Sequence, residues 1–363
     1  MDYSLINGHQ TQASPCQGNY ADASKTGYLQ PPPTTINNLS LEERHELIRQ
    51  YGYQSSSYFS LQQGVEHIGI AGVGFIAFYI QRFLGTTFNI AFTNPVCALQ
   101  DMPQLVKLLE HVTGHKTIFM AVDKQCADQL IEMNYACNDM GLEYHLPIAD
   151  YKIEGKQMKY LRWVANLGKR GFVVKEQKWD EVDAEQVKHI STLWRHTKAV
   201  KDKELRLITR PPEFRDAWEV RKFFCYYEGE MVGFVFFDPF FENGNLVGYT
   251  ANILRGRKDI HPNGFLDFTL LEAMKIFKTE GVQVLSLGIS PLHEISFHAR
   301  EVKWVRMLQK LMYRYGSSFY AFQELAYHKT RYRADSTMWY QCIPPDSSSL
   351  KAAAAVLIAI NVF

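Results

Sequence analysis

Hydrophobic residues recur along the chain with two different periods, and the changes between them predict the order of its elements. Ser40 and Glu43 have the spacing of a helix capping box, and the segment after them keeps a helical period that ends at Gly52. Between Tyr58 and Val96 lie three runs rich in β-branched and aromatic residues, YFSLQ, HIGIAGVGFIAFYIQ and TFNIAFTNPV. These runs predict antiparallel strands.

Helices and strands then alternate to the end of the chain. The first half continues with a helix at 103–113, a strand at 117–122, a helix at 127–133 and a strand at 143–147. The second half has a helix at 185–196, three strands within 221–255, a helix at 265–279, a strand at 282–289, a helix at 303–315 and a final strand at 320–325. The second half therefore repeats the element order of the first, without a clear repeat of residues.

Three antiparallel strands followed by helix, strand, helix and strand is the order of the acetyltransferase fold. The predicted fold class is α/β (α+β), with tandem acetyltransferase-like (GNAT) folds whose mixed, mostly antiparallel sheets are flanked by helices. A polar segment that ends in three prolines predicts a disordered arm at 1–35. The other predicted domains are a first acetyltransferase-like domain at 36–165, a second, catalytic one at 166–345, and an apolar C-terminal tail at 346–363.

The overall charge of the chain argues against a surface that is basic throughout. The 39 lysines and arginines nearly cancel the 38 acidic residues. Two stretches depart from this balance: residues 152–215 hold 16 basic and 9 acidic residues, and residues 300–333 hold 8 and 2. Such stretches suit either a polyanion bound in one groove or solvated helix faces.

The cysteines and the termini bear on the compartment. The six cysteines are scattered, without a pair spaced as a zinc or redox motif, and a chain of 363 residues does not need disulfides to fold. The N-terminus lacks the pattern of a signal peptide, and no apolar run approaches the roughly 20 residues of a membrane span. These features predict a reducing cytoplasm. The apolar run 352–363 is either docked on the body, disordered or in contact with a membrane surface.

Several segments, taken in order, resemble the catalytic domain family named after phosphatidylglycerol lysyltransferase, the C-terminal part of the bacterial multiple peptide resistance factor. The resemblance covers roughly residues 40 to 343. Its most specific pieces are the Gly155-Lys156 hairpin that leads to Leu161-Arg162 and Gly171, the turn LGISPL at 287–292, and the strand-like FYAF at 319–322 with Lys329 after it. Each piece alone is a weak signal, but their order is specific.

The resemblance implies a tandem acetyltransferase-like fold, in which a tunnel through the second unit brings the end of an aminoacyl-tRNA to an acceptor. The implied activity is transfer of the aminoacyl group to a hydroxyl of a phosphatidylglycerol-like lipid or of a small molecule. An aminoacyl ester is already activated, so aminoacyl-tRNA is the co-substrate and no metal or other cofactor is expected. The membrane-embedded part that often precedes this domain is not in this sequence, so a lipid acceptor implies transient contact with the inner face of the cell membrane.

The family's residues for the aminoacyl group match two positions on the central strand. The family has an acid three residues before an arginine, and here these positions are Asn252 and Arg255. An amide accepts a hydrogen bond but supplies no counter-charge, so lysine is not the expected donor amino acid. The family's terminal arginine-tyrosine pair is replaced by Trp339-Tyr340, which also indicates a different donor or acceptor. On the residues alone, Asn252 could equally satisfy a strand edge and Arg255 could be solvated in a loop.

Other candidates come from their positions in the predicted elements. Asp238 follows an apolar run and precedes a proline, where a carboxylate faces a pocket or caps a turn. His293 follows the LGISPL turn and is either a general base or an idle loop residue. The predicted catalytic residues are Asp238, Arg255 and His293. The predicted substrate-binding residues are Asn252, Asp267, Gln323, Lys329 and Arg331.

A tRNA acceptor stem is expected to lie near the junction of the two halves, where positive charge concentrates. The predicted tRNA-binding residues are Lys156, Lys159, Arg162, Lys169 and Arg170. Two alternatives remain: a coenzyme A-dependent N-acyltransferase of the same fold, and a non-catalytic module that binds tRNA or a lipid head group. The segment RGRKDIHPNG, which opens the helix at 265, would hold a pyrophosphate poorly and so disfavours coenzyme A.

Overall fold

A single mixed sheet organises the part of the chain that the computed structural model describes, which comprises residues 34–196, 210–316 and 320–360. Within these residues the sheet has twelve strands, in the order β1-β2-β3-β5-β12-β6-β11-β10-β9-β8-β7, with β4 on β2. The strands are β1 (Glu66–Ile70), β2 (Gly74–Phe83), β3 (Thr86–Phe92), β4 (Val96–Cys97), β5 (Lys116–Val122), β6 (Ala136–Pro147), β7 (Phe172–Glu176), β8 (Arg221–Tyr227), β9 (Glu230–Glu242), β10 (Asn245–Gly256), β11 (Val284–Pro291) and β12 (Asp335–Ile343). All pairings are antiparallel except β3 with β5 and β10 with β11.

Helices cover both faces of this sheet. They are α1 (Leu41–Tyr51), α2 (Met102–Thr113), α3 (Lys124–Glu132), α4 (Lys159–Val164), α5 (Ala184–His196), α6 (Phe265–Thr279), α7 (Lys303–Tyr315), α8 (Phe322–Thr330) and α9 (Ser349–Ala359). Helices α4 and α6 share a core with β6 and β8–β11, whereas α5 packs on the opposite face of β8–β10. The predicted fold class, a mixed and mostly antiparallel sheet flanked by helices, is confirmed.

The two halves of the chain share this sheet. Strand β6 pairs with β12 on one side and with β11 on the other, so the sheet is continuous between the halves. Strand β12, which lies late in the sequence, is inserted between β5 and β6 of the first half. The domain division at residues 165 and 345 stays a prediction, and most of the predicted arm lies outside the described residues.

Two predicted strands are wrong. The run from Tyr58 belongs to a buried 3₁₀ turn, Ser57–Leu61, and the expected final strand at 320–325 is the start of α8. In α8 the buried residues are Phe322, Ala326 and Lys329, which is helical spacing that the short aromatic run conceals. The true final strand is β12.

The cysteines also depart from the expectation. Cys137 and Cys342 are directly opposite each other on β6 and β12 and form a disulfide, although 205 residues separate them in sequence. Sequence spacing could not show this pair, because strand pairing alone brings the two residues together. Of the other described cysteines, Cys97, Cys126 and Cys225 are free and buried.

The apolar tail forms a helix that packs on the body. Ser348 caps α9, and Ala352, Ala355, Val356 and Ala359 are buried in a core shared with β2, β3 and β5. Docking is therefore the correct interpretation for residues 349–360. Among the described residues, no helix is long and apolar enough to span a membrane.

Candidate functional site

The parallel strands β10 and β11 separate in the middle of the sheet. They pair over only three positions, ending at Thr250 and Ser286, although β10 continues to Gly256 and β11 to Pro291. Beyond that point each strand stays paired to its outer neighbour, β10 to β9 and β11 to β6. The two strands therefore leave an opening between them, here called the β10–β11 cleft.

Irregular backbone accompanies the separation. Asn252 is the extra residue at a register shift between β10 and β9, and Leu287 is the extra residue at a register shift between β11 and β6. Gly288, which follows, has a φ of +73°, a conformation that glycine adopts most readily. Bulges of this kind bend strands and occur often beside functional sites.

A row of buried polar residues crosses the sheet where the cleft begins. Thr250 is directly opposite Asp238 on β9 and Ser286 on β11, so the three side chains share one face of the sheet. The Ser286 hydroxyl donates to Glu143 Oε1 on β6 over 2.5 Å, which extends the row to a fourth strand. Buried polar groups in neighbouring strands are costly unless paired, so such a row indicates a functional position in the sheet.

Asp238 lies inside β9 and not at a strand end, which corrects the sequence prediction. The strand continues through Pro239, because the part of β9 after Phe237 has no pairing with β8 that a proline would disrupt. Asp238 is fully buried, and Arg210 donates to its two oxygens over 3.0 and 2.5 Å. The negative charge of Asp238 raises the pKa of Arg210 against the effect of burial.

The two family-matched residues lie on β10, and Asn252 contacts this pair. The amide of Asn252 is half-buried and donates to the Arg210 carbonyl over 3.5 Å. Arg255 is not in a loop, as one interpretation had it, but buried in the strand. Its guanidinium contacts the Ser191 hydroxyl and lies 4.9 Å from the centre of the Trp194 ring, both on α5. These contacts fix Arg255 against α5.

Lys329 reaches the other strand of the cleft from the last turn of α8. Its ammonium donates to the Ile289 carbonyl over 2.6 Å, and only 7% of the residue is exposed. Burial lowers the pKa of Lys329 to about 7, although the nearby Glu143 carboxylate opposes this shift. A cleft residue whose charge changes near neutral pH is suited to proton transfer.

Asp267 is the centre of a second polar cluster, at the first turn of α6. Burial disfavours its charge, but hydrogen bonds from His328, Tyr160 and Tyr332 outweigh that effect and lower the pKa of Asp267. The Arg331 guanidinium lies 3.9 Å from the same carboxylate and 4.0 Å from the centre of the Tyr160 ring. The cluster joins α4, α6 and α8.

His293 and Gln323 each contact Tyr313 of α7. His293 Nδ1 is 2.8 Å from the Tyr144 hydroxyl, and its ring centre is 5.8 Å from that of Tyr313. Gln323 donates to the Tyr313 carbonyl over 3.0 Å. Tyr144 lies opposite Gly288 in the sheet, so this group borders the β11 side of the cleft. Burial raises the pKa of Tyr144 to about 12, which keeps its hydroxyl protonated.

The predicted tRNA-binding residues lie on one continuous segment. They belong to the 3₁₀ turn Lys156–Met158, to α4 and to the turn Leu167–Arg170, and they are exposed except Arg162, which is half-buried. Arg162 donates to the Gly155 carbonyl, and the Arg170 guanidinium stacks 5.8 Å from the centre of the exposed Trp163 ring. This segment, 156–170, is called the basic segment below.

The structure divides the predicted residues into three groups. Lys329, His293 and Gln323 are on the β11 side of the cleft, Asp238, Asn252 and Arg255 lie on β9 and β10, and Asp267 and Arg331 join α8 to the basic segment. The sequence interpretation missed Glu143, Ser286, Tyr144 and His328. The alternation of the β6 segment GLEYHLP could have shown that Glu143 shares a face opposite the apolar core, but its partners come from distant elements.

The match to a family model covers most of the chain. The model described as "Phosphatidylglycerol lysyltransferase, C-terminal" matches residues 45–343. The chain is also 23% identical over 278 residues to an uncharacterised protein of Corynebacterium glutamicum, a match that covers 74% of this chain. The chain spans 34% of the length of that relative.

Solved structures share the fold at low sequence identity. A C-terminal domain assigned to a lysylphosphatidylglycerol synthetase of Agrobacterium fabrum superposes with a TM-score of 0.69 at 17% identity, over 88% of this chain and 97% of that one. L-PGS from Bacillus licheniformis gives 0.68 at 16% identity, over 88% and 95%. FemX gives 0.53 at 10% identity, over 90% and 100%. With the family match over residues 45–343, the chain belongs to the phosphatidylglycerol lysyltransferase C-terminal family.

Proposed function

We propose that the protein transfers an aminoacyl group from a charged tRNA to a hydroxyl of an acceptor, either a phosphatidylglycerol-like lipid or a small molecule. The observation that supports this most directly is the β10–β11 cleft, which has a buried amine with a pKa of about 7 on one side and a bulged amide on the other. Family membership supports this reaction class, and the cleft has residues suited to it.

The reaction needs a group that accepts the proton of the attacking hydroxyl and a group that donates a hydrogen bond to the oxyanion. The acceptor hydroxyl oxygen bonds to the ester carbonyl carbon, the bond from that carbon to the ribose oxygen breaks, and the acceptor's proton ends on the ribose oxygen. In its neutral form Lys329 can take the proton from the attacking hydroxyl and return it to the ribose oxygen. The protonated hydroxyl of Tyr144 can donate to the oxyanion that forms in between.

The amino group of the donor needs hydrogen-bond acceptors on the β10 side. Asn252 offers its amide oxygen there, and Asp238 is neutralised by Arg210. On the β10 side, a second positive charge on the donor side chain would lack a counter-charge, so we propose a donor other than lysine.

The tRNA acceptor stem is proposed to lie on the basic segment. Its exposed cations suit phosphates, and the exposed ring of Trp163 beside Arg170 offers a surface on which a base stacks. Arg331 connects this segment to α8 through Tyr160, so a bound acceptor end would adjoin the helix that holds Lys329.

The geometry disfavours the coenzyme A alternative. In that chemistry a pyrophosphate would bind the N-terminus of α6, the helix after β10. Here α4 packs over that end: a Cβ at Gly264 would lie 3.1 Å from the Tyr160 hydroxyl and 3.2 Å from Trp163. The Asp267 carboxylate in the first turn adds a negative charge at the same place.

The test is a transfer assay with the twenty charged tRNAs and total lipid extract, with products identified by mass spectrometry. We expect an aminoacylated product whose formation stops when ribonuclease is added first. Formation that continues after ribonuclease would contradict the proposal. Thermal stabilisation by acetyl-coenzyme A but not by tRNA would favour the N-acyltransferase instead.

A further inference from the structure

Helix α7 presents an apolar stripe to solvent. Met307, Leu311 and Tyr315, each one turn after the last, are 61%, 48% and 64% exposed. The opposite side of the helix holds Val305 and Gln309, which are buried against the body. The fold therefore buries only one side of α7. The apolar stripe of Met307, Leu311 and Tyr315 has no partner among the described residues.

Basic residues border this stripe. Lys303, Lys310 and Arg314 are exposed on the same side, α7 contains no acidic residue, and no described residue forms an ion pair with these three. Phe297, in the loop before α7, is 62% exposed, and the Arg306 guanidinium lies 5.7 Å from its ring centre. A shallow depression of about 320 Å³ lies along this surface. It is lined by Lys303, Arg306, Met307, Lys310, Leu311, Arg314 and Tyr315, which we call the α7 face.

We infer that the α7 face docks on the surface of a bilayer that contains anionic phospholipid. An interfacial helix buries its apolar side chains at the boundary of headgroups and acyl chains, while lysines and arginines beside them bind lipid phosphates. An RNA phosphate backbone would need the cations but not Met307, Leu311 and Phe297. A second copy of the chain would bring two basic faces together, which like charges oppose.

The inner edge of the same helix contacts the candidate site. Tyr313 contacts His293 through its ring and Gln323 through its carbonyl. Gln323 is near the start of α8, whereas Lys329, His328 and Arg331 are at its end; from Gln323 to Lys329 the helix rises roughly 9 Å, for six residues at ~1.5 Å each. A bilayer on the α7 face would thus present lipid head groups at one end of α8, and the basic segment lies at the other.

This inference rests on the proposed function only for its purpose, which is to bring the protein to a membrane that holds a lipid acceptor. It predicts that the protein without tRNA co-floats with vesicles of phosphatidylglycerol and phosphatidylcholine, and that its retention falls at least about tenfold on pure phosphatidylcholine. Because the assay contains no tRNA and involves no turnover, failure of the transfer reaction would not affect its result.

Paired variants test the two components of the surface. We expect the Met307→Ser/Leu311→Ser and the Lys310→Glu/Arg314→Glu double variants each to lose binding to the anionic vesicles by about tenfold or more. Met307→Leu should retain binding. The matched controls, Leu84→Ser for an exposed apolar residue and Lys107→Glu for an exposed lysine, should bind like the wild type.

Three results would overturn the inference. The first is equal binding of wild type and both double variants to anionic vesicles. The second is loss of tRNA affinity in Lys310→Glu/Arg314→Glu with unchanged vesicle binding, which would assign the face to RNA. The third is a concentration-dependent dimer, seen by sedimentation, that Met307→Ser/Leu311→Ser abolishes. Circular dichroism should show that the variants fold, since every substituted side chain is exposed.

Discussion

Lys329 combines deep burial with a charge that changes near neutral pH. Its pKa in the folded protein, about 7, is below its ordinary value of 10.5. Between these values the unfolded chain binds a proton that the folded protein does not, so this residue makes the free energy of unfolding increase as pH rises from 7 to 10. Because Lys329 can accept a proton only in its neutral form, transfer activity should also increase as pH rises through about 7.

The prediction for Lys329→Met follows from the direction of these two pH dependences. The variant should lose transfer activity by about 100-fold or more, and its free energy of unfolding should lack the increase between pH 7 and 10 that Lys329 causes. Urea unfolding of both proteins at pH 7, 8.5 and 10 measures this. A difference between the two proteins that is constant with pH would show that Lys329 is charged throughout.

Asp238 and Arg210 form a buried pair, and Arg210 also donates to Glu213 over 3.0 Å. Asp238→Asn should lower the free energy of unfolding by about 1.5–3 kcal/mol, because Arg210 loses its buried carboxylate partner and keeps Glu213. The double variant Asp238→Leu/Arg210→Met should recover most of that loss, since both members of the buried pair are then apolar and Glu213 keeps its ion pair with Arg215. Urea unfolding measures both, with the exposed pair Lys188–Glu185 as control: Lys188→Ala should change stability by less than about 1 kcal/mol. A double variant as unstable as the single one would contradict this account.

The residues of the site could be found from the sequence only where a local pattern or a family match marked them. Asn252, Arg255 and Lys329 were named this way. Their contacts could not be predicted, because Arg210, Ser191 and Ile289 approach them from separate elements through tertiary packing. His328 illustrates the limit: only the structure shows that it hydrogen-bonds to Asp267, 61 residues away.

At the scale of elements, the helices with strong signals were predicted closely. The capping box of Ser40 and Glu43 forms as expected, and α6 and α7 have the predicted ends. The elements predicted wrongly are the 3₁₀ turn Ser57–Leu61 and α8, since a short aromatic-rich run fits a strand or a buried helix equally well. The β10–β11 cleft was also beyond prediction, because bulges at Asn252 and Leu287 leave no pattern in a single sequence.

Helix α9 should stabilise the body by covering β2 and β3. Val356 is 4% exposed in that contact, whereas Ile358 on the same helix is 37% exposed. Val356→Asp should lower the free energy of unfolding by about 3 kcal/mol or more, because it buries a charge without a partner. Ile358→Asp should cost less than about 1 kcal/mol. Equal losses in urea unfolding would show that α9 is not docked in solution.

At the scale of the whole molecule, the bond between Cys137 and Cys342 links residues 205 positions apart. Closing so long a loop should stabilise the folded protein by about 2–5 kcal/mol. Addition of dithiothreitol should therefore lower the urea midpoint of the wild type and leave a Cys137→Ala/Cys342→Ala variant unchanged. Cys225→Ala, which removes a free buried cysteine, should keep the wild-type response to the reductant. A wild type insensitive to dithiothreitol would contradict the prediction.

The position of β12 has a consequence for how the protein is made. The strand that separates β5 from β6 leaves the ribosome roughly 190 residues after β6 does, so both of those strands keep an unpaired edge until β12 has been made. Exposed edges favour pairing between chains. A chain released before residue 335 should therefore aggregate, and cells that make this protein would need to shield the unfinished sheet until β12 has been made.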